Sequence, residues 1–533
     1  MNFDYVIVGG GSAGATLAAR LSENPQTTVC LLEAGGDGQD LLIRLPIGLA
    51  VTVPGRLKGN NYCYETTPQP GLNGRRGYQP RGRCLGGSSA INAMTYMRGH
   101  PRDYDDWAAL GCDGWSFAEV LPYFKRSEGN QRGASEYHGD HGPLQVGEQQ
   151  NPRPVSLAFV DAAIEAGIPA NSDFNGAEQE GAGLYQVSQF FHGPKNGERC
   201  SAAAGYLHPI MHRPNLTVLT KTQALRVMLA EQRATGVEVL RGGQREIVHA
   251  DKEVILCGGA FNSPQLLMLS GIGDPAELAR HGIKTQHELP GVGKNLQDHI
   301  DLVITFRSKD DNLFGLSLPT ALNMPGHINQ WRKTGEGLLA SPCCESGAFV
   351  KSNPELERPD LQLNFIIAKL EDHGRKLHLG SGFTCHVCVL RPKSVGTVSL
   401  TDSNPLSAPC IDPHFLEHPD DVDALLAGAK IIRAIMRSPA IRNLVDQELM
   451  TPDTDTDAGL IRHIRAHADT LYHPIGTCKM GNDALAVVDP QLRVHGLQGL
   501  RVVDASVMPT LIGGNTNAPT IMLAERAADF IRD

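Results

Sequence analysis

The first hydrophobic run of the chain, Tyr5, Val6, Ile7 and Val8 after the polar Asp4, is continuous rather than alternating, the pattern of a strand covered on both faces. A glycine cluster follows, and beyond it apolar residues recur at helical spacing through Ala18 and Leu21. Residues 28–32 form a second buried run that stops at Glu33. Far downstream, residues 251–257 read as a buried strand entering Gly258 and Gly259; Ser263 and Pro264 then open a helix, proline being tolerated in a first turn. A buried strand so late in the chain predicts a sheet assembled from distant segments. Residues 383–390 are strand-like, 397–400 alternate like a strand with one exposed face, and 501–503 lead as a strand into Asp504. A last helix is predicted from Pro519 to about Ile531. Residues 45–53 are apolar but long enough only to dip into a membrane interface. Residues 312–337 are mixed and turn-rich, a candidate lid or contact surface.

Gly9, Gly11 and Gly14 stand as G-x-G-x-x-G between the first strand and the first helix, the setting in which that motif holds a dinucleotide. Gly9 makes the tight turn, Gly11 lets the backbone approach a pyrophosphate, and Gly14 lets the helix pack on the strand. Ser12 and Ala13 lie within the motif, where free N–H groups and the positive end of the helix dipole face the phosphates. Glu33 lies nineteen residues after Gly14, with Ala34 beside it. It is placed to accept hydrogen bonds from a ribose diol. A site of this kind takes FAD or NAD.

Composition narrows the picture. A chain of 533 residues with 41% hydrophobic and 20% charged residues has room for two or three units with substantial cores. Its net charge of −10 disfavours nucleic acid as a partner. No basic leader precedes the first strand and no apolar stretch spans a bilayer, so a cytoplasmic protein is expected, with peripheral contact at the cytoplasmic face of the inner membrane left open. The 12 cysteines follow no framework spacing and are expected as free thiols. Cys385 and Cys388 resemble half a zinc site without its other half, and no metal is expected.

Residues 82–105 choose between FAD and NAD. Gly82, Arg83, Cys84, Leu85, Gly86, Gly87, Ser88, Ser89, Ala90, Ile91 and Asn92, with Tyr96, Gly99 and Asp105, resemble the first signature of the glucose–methanol–choline oxidoreductases. The run 259–273, from Gly259 through Ser263 and Pro264 to Gly273, resembles the second. The resemblance implies FAD, with Arg83, Gly86, Gly87 and Ser88 making a second pass along it and Asn92, Ala93 and Met94 beside the flavin ring. Some members carry a histidine, covalently bonded to the flavin, one position before Asn92. Ile91 stands there in this chain, so FAD is expected to be noncovalent. The implied fold is α/β: a Rossmann-like FAD-binding domain from 1–155, 196–306 and 467–533, interleaved with an α+β substrate-binding domain from 156–195 and 307–466 on an antiparallel sheet.

Two C-terminal motifs carry the implied chemistry. His473, in the run from Tyr472 to Gly481, matches the family's catalytic histidine; Asn517, between Thr516 and Ala518, is assigned as its partner. Hydride leaves an alcohol carbon for the flavin as the hydroxyl proton is lost, and a neutral imidazole at His473 suits that proton. An amide donor stabilises the developing alkoxide. The resemblance also implies that Asp504 and Ala505 reach the ribityl or phosphate region. It also implies that Asn515, Asn517, Ala518 and Pro519 bind the cofactor, where the helix beginning at Pro519 turns its positive end to the reduced ring. Glu345 sits where choline-oxidising relatives place an acid near the ammonium, and a substrate role and a structural role are evenly balanced. The expected activity is oxidation of a primary alcohol, of medium-chain or polyether type, with electrons passed to a quinone or another acceptor. Choline dehydrogenase and peroxide-forming oxidase are the alternatives, followed by a flavoprotein without catalysis and an NAD enzyme.

Overall fold

The computed structural model describes residues 1–56, 59–310, 313–314, 318–376, 380–450 and 453–532. Remote pieces of sequence meet in its first sheet. The strand Asn2–Val8 lies between Val29–Leu32 and Gln244–Leu256, parallel to both, with Val6 opposite Cys30 on one side and Val254 on the other. Leu500–Val502 pairs in parallel beyond Val254, and Leu216–Leu219 extends the opposite edge. The uninterrupted apolar runs follow from this placement: Val6, Ile7, Val29, Leu31, Val254, Ile255 and Leu256 are fully buried. They share one core with the helices Ser12–Leu21 and Asn517–Arg532. The strand expected at 251–257 is the end of a longer one. Its first half is an exposed antiparallel partner of Arg233–Arg241, which masks the buried end in a periodicity reading.

The second sheet is antiparallel throughout. Its strands run in the order Gln447–Glu448, Ile300–Arg307, Gly382–Val389, Leu361–Ile366, Cys344–Val350 and Gly181–Leu184, and Asp469–Thr470 also pairs with Ile300–Arg307. An expected division after residue 306 therefore cuts a strand whose partners all lie in this sheet. The helices Pro154–Glu165, Pro419–Arg437 and Asp457–His467 share a second apolar core with it. Pro419–Arg437 starts where His418 Nδ1 accepts the Asp420 N–H at 3.3 Å, with Pro419 in the first turn and Asp420 and Asp421 at the positive dipole end. Its stripe of Val422, Leu425, Ala429, Ile432 and Ile435 is buried. Gly428 allows the close approach, since a Cβ there would meet Val387 Cγ2 at 2.4 Å.

Several segments differ from their expected form. Residues 45–53 fold inward as the turn Pro46–Gly48 and the helix Leu49–Thr52, and Leu49, Ala50 and Val51 line a central cavity. Within 312–337 the structure has a helix, Leu318–Thr334, where turns were expected; Asn312 and residues 315–317 lie outside the described residues. The last helix begins at Asn517, two residues before Pro519, which sits in its first turn. Among the described residues no helix is long and apolar enough to cross a membrane, and no cluster of side chains suits a metal ion. The cysteines are free, and all but Cys63 and Cys410 are buried.

One buried carboxylate clamps three helices. Glu525, on Asn517–Arg532, accepts from Arg20 Nε and Nη2 on Ser12–Leu21, from Arg126 Nε on Phe117–Ser127, and from the Tyr206 hydroxyl, at 2.6–2.8 Å. Glu525→Ala is expected to lower stability by about 1.5–3 kcal/mol, the range for hydrogen bonds to charged groups. Arg20 and Arg126 keep partial access to water, so the loss stays below the ~3–5 kcal/mol of a fully buried pair. The urea midpoint at constant slope measures it.

Candidate active site

A cavity of about 1380 Å³ runs from the glycine turn at the first strand to the second sheet, larger than the ~300–1,000 Å³ that a single drug-sized ligand needs. Gly9, Gly11, Ser12 and Ala13 form one end, and the backbone there is packed too tightly for a side chain at Gly9, Gly14 or Gly87. A Cβ on Gly9 would meet Cys257 O at 2.4 Å, one on Gly14 would meet Gly9 O at 1.9 Å, and one on Gly87 would meet Gly11 Cα at 2.7 Å. Two helix N-termini converge on this wall. Ser12 begins one helix, Asn517 begins the other, and Ser12 Oγ donates to Asn517 Oδ1 at 2.7 Å. Both present positive dipole ends to whatever anion lies between them. Glu33 closes the end of Val29–Leu32: Oε2 accepts the Gly10 N–H at 2.9 Å, Oε1 accepts the Gly35 N–H at 2.7 Å, and burial raises the carboxyl pKa. Asp504 ties the 259–273 motif to the end of the strand Leu500–Val502, taking the Gly259 N–H at 2.9 Å, the Ser263 hydroxyl at 2.6 Å and the Ser506 N–H at 2.8 Å. A narrow glycine cradle, two helix ends and a buried acid at the second strand fit the pyrophosphate and ribose of FAD.

At the other end, hydrogen-bond direction fixes a tautomer. His299 Nε2 lies 3.1 Å from both Leu390 O and Ile512 O, and carbonyls only accept, so Nε2 carries the hydrogen. Burial pushes the His299 pKa down to about 4, so the ring is neutral near pH 7 and its Nδ1 is a bare lone pair. His473 Nδ1, 2.9 Å away, must therefore donate to it. This leaves the lone pair of His473 on Nε2, on the cavity wall, 3.2 Å from Asn515 Nδ2. Burial, with His299 and Arg81 nearby, holds the His473 pKa well below 6.5. The Asn515 amide is oriented from behind, its Oδ1 accepting from Gln362 Nε2 at 3.3 Å.

The backbone before His473 is held in a strained form. Tyr472 has φ +73°, a left-handed conformation that costs a non-glycine residue on the order of 1–3 kcal/mol. Arg81 Nη2 donates to Tyr472 O at 2.7 Å and the Tyr472 N–H donates to Thr470 Oγ1 at 2.7 Å. Asp298 accepts the His473 N–H at 2.8 Å, and burial raises the Asp298 pKa to about 6.

Comparison with known proteins matches this arrangement to a family. The family model described as GMC oxidoreductase matches residues 3–301 in its N-terminal part and 392–524 in its C-terminal part. The chain belongs to the GMC oxidoreductase family. It is 45% identical to an alcohol dehydrogenase [acceptor] of Pseudomonas putida over 99% of this chain and 95% of that relative. It is 43% identical to the mitochondrial choline dehydrogenase of Homo sapiens over 99% of this chain and 90% of that one. The crystal structure of pyridoxine 4-oxidase from Mesorbium loti superposes with a TM-score of 0.88 at 31% identity, covering 99% of both chains.

Within this GMC fold most of the expected residues line the cavity: Gly9, Gly11, Ser12, Ala13, Glu33, Ala34, Gly87, Ser88, Asn92, Ala93, Met94, Asp504, Ala505, His473, Asn515 and Asn517. Gly14, Gly86, Ala518 and Pro519 lie behind that wall; the Gly86 N–H, for example, donates to Gly10 O at 2.7 Å and so shapes the cradle indirectly. Arg83 is exposed and stacks over Tyr62, 5.4 Å from the ring centre, instead of lining the cavity.

Two expected roles are corrected. The amide facing His473 belongs to Asn515, because Asn517 is already the first residue of the helix and its side chain is turned to Ser12. The Glu345 carboxylate faces away from the cavity, accepting the Arg153 N–H, the Ser156 hydroxyl and the Ser341 hydroxyl, each at 2.7 Å. It caps the helix Pro154–Glu165 and contacts no substrate space. His299, Asp298, Arg81 and Gln362 were missed. For Asp298 and His299 the signal was the polar run Gln297, Asp298, His299 set directly before the apolar strand Ile300–Arg307; Arg81 and Gln362 carried none.

The pKa of His299 makes a checkable statement about stability. Below pH 6.5 the unfolded chain protonates this imidazole and the folded chain does not, so stability falls as pH drops from 6.5 toward 4. His299→Gln removes that term. The stability of the natural protein minus that of the variant is expected to shrink by ~1.4 kcal/mol per pH unit across this window, read from urea titrations at successive pH values.

Proposed function

We propose that the chain oxidises a primary alcohol to the aldehyde and passes the electrons to a quinone or another acceptor other than oxygen. The observation that carries this reading is the neutral His473, its Nε2 lone pair directed at the same space as the Asn515 amide, in a cavity continuous with the glycine cradle. FAD is the cofactor of the reading. The glycine turn at Gly9, Gly11 and Ser12, Glu33, Gly87 with Ser88, Asn92 to Met94, and Asp504 with Ala505 would hold it. When bound, it supplies the electrophilic ring that accepts two electrons and a hydrogen from the carbinol carbon. Ile91 offers no nucleophile for a covalent bond, so the flavin is held noncovalently.

The chain's own residues manage the proton. A substrate hydroxyl between His473 Nε2 and Asn515 Nδ2 gives its proton to the imidazole while the amide N–H donates to the oxygen that is becoming an alkoxide. Both groups are oriented from behind, His299 holding the ring and Gln362 the amide, and the alcohol oxygen takes the place of the direct 3.2 Å hydrogen bond from Asn515 Nδ2 to His473 Nε2. The depressed pKa of His473 keeps the base unprotonated well into acid. The acid limb of the reaction is therefore expected below pH 6.5.

The alcohol reading is favoured over choline by the corrected position of Glu345, which has no access to the cavity. The carboxylates that line it near the second sheet are paired: Asp301 with His386 at 2.6 Å, Asp469 with His373 at 2.9 Å, and Glu371 with Lys376 and Asp372 with Arg375, each at 2.7 Å.

Anaerobic flavin reduction by primary alcohols tests this directly. His473→Ala is expected to keep FAD and to lose on the order of 10²–10⁴ in reduction rate, with a smaller loss at high pH where more substrate is alkoxide. Asn515→Ala should slow reduction by less, and Asn517→Ala should act on flavin retention instead of on proton transfer. Near-normal reduction by His473→Ala at neutral pH would contradict the assignment, and FAD that stays with the acid-precipitated chain would contradict the noncovalent one.

A further inference from the structure

One buried charge has no opposite charge beside it among the described residues. Three arginines there are deeply buried, Arg98, Arg199 and Arg501. Arg98 pairs with Glu128, and Arg501 Nε with Glu253 at 2.6 Å. Arg199, 2% exposed, meets only carbonyl oxygens. Its Nε donates to Ile43 O at 3.0 Å, and its Nη1 donates to Ser89 O at 3.4 Å, to Asn92 O at 2.6 Å and to Asn92 Oδ1 at 2.8 Å. Its Nη2 has no acceptor. The carboxylate next in sequence, Glu198, is turned to Arg44 at 3.0 Å. Burial pushes the guanidinium pKa down to about 9, and the group still carries its charge at neutral pH. A buried cation without a counter-charge is costly to a folded chain, so the missing charge is expected from a group that binds nearby.

Its place in the fold shows which part of FAD it serves. The segment 87–95 follows the cavity wall from one end toward the other. Gly87 lies against Gly11 in the glycine cradle, and the Thr95 side chain reaches the Cys344 thiol of the second sheet. Asn92 stands between them and lines the cavity. Its Oδ1 accepts from Arg199 Nη1 and from the Met94 N–H, at 2.8 and 3.0 Å, so the amide N–H groups are the end of that side chain left for a ligand. The turn is held against strain. Met94 has φ +60°, and its carbonyl accepts the Ser188 N–H at 2.8 Å and the Ser188 hydroxyl at 3.2 Å. The cradle already offers two helix N-termini to the pyrophosphate. The ring of the cofactor would occupy the stretch between that cradle and His473, where Asn92 stands.

Reduction changes the charge of that ring. The oxidised ring is neutral, and two electrons with one proton leave the reduced ring with one negative charge. A fixed positive charge in a low-dielectric site stabilises the reduced form over the oxidised one and raises the potential of the couple. We propose that Arg199 is the buried counter-charge of the reduced flavin and, through Asn92, sets the potential at which this enzyme accepts electrons. Arg199 does not line the cavity, so it is a positioning residue: its guanidinium fixes the Asn92 amide and its charge acts from behind that amide. The inference rests on the FAD site and not on the identity of the alcohol.

Anaerobic redox titration of the FAD-loaded protein against a reference dye tests this. No alcohol is present, so the result does not depend on the alcohol-oxidising reading. Arg199→Gln keeps a donor for Asn92 and removes the charge. The flavin potential is expected to fall by about 30 mV or more, a tenfold loss in the ratio of reduced to oxidised flavin for a two-electron couple. A residue that merely tied Ile43, Ser89 and Asn92 together would weaken the hold on both forms alike, and an equilibrium shifts only by the difference in affinity for its two states. The potential would then stay where it was while FAD retention fell. Asn92→Asp leaves Arg199 in place and neutralises it, and should lower the potential in the same direction. An unchanged potential in Arg199→Gln, or in Asn92→Asp where the first variant does not retain FAD, would overturn the proposal.

Discussion

The chemistry of this protein depends on the direction of one chain of hydrogen bonds. Two backbone carbonyls, of Leu390 and Ile512, can only accept, so His299 must point its N–H at them and offer its other nitrogen to His473. That choice sets the tautomer of His473 and puts its lone pair where a substrate proton can be taken. The two carbonyls come from different parts of the fold. Leu390 follows the second-sheet strand Gly382–Val389, and Ile512 precedes the C-terminal helix Asn517–Arg532. The tautomer is thus set where the two sheets' chain segments meet. A shift of either segment would loosen the base before it disturbed the cofactor cradle.

Burial makes this arrangement effective and also costly. His299 and His473 are kept neutral by desolvation, while Asp298 accepts the His473 backbone N–H and Arg81 holds the strained Tyr472 carbonyl. Positioning of the base is paid for by backbone strain and by buried polar groups, and the surrounding hydrogen bonds offset both. The cofactor end uses a different device. There glycines remove side chains, and two helix N-termini supply positive potential.

Most of the fold was legible because its signals are local. The continuous apolar run before Gly9, the glycine spacing and Glu33 depend on neighbouring positions, and the observed parallel pairing of Asn2–Val8 with Val29–Leu32 follows from them. His473 was legible through its motif. The partner amide was not, because Asn515 and Asn517 are chemically identical and only the start of the helix decides which one turns toward the cavity. Glu345 was ambiguous for a similar reason: a buried acid on a strand is read from sequence alike whether it faces a ligand or caps a helix, and here three donors behind the strand Cys344–Val350 claim it. His299 acts through contacts with Leu390, Ile512 and His473, which come from separate parts of the chain, and their meeting is not a property of any single segment.

The central claim is that His473 is a neutral imidazole with its hydrogen on Nδ1. Nitrogen-15 NMR of enzyme labelled at histidine, compared with the same preparation of His473→Ala to identify the resonances, reports the ring tautomer directly. The account predicts for His473 a protonated Nδ1 and a bare Nε2 throughout the neutral range, and the opposite tautomer for His299. An imidazolium at His473 near pH 7, or a hydrogen on its Nε2, would contradict it.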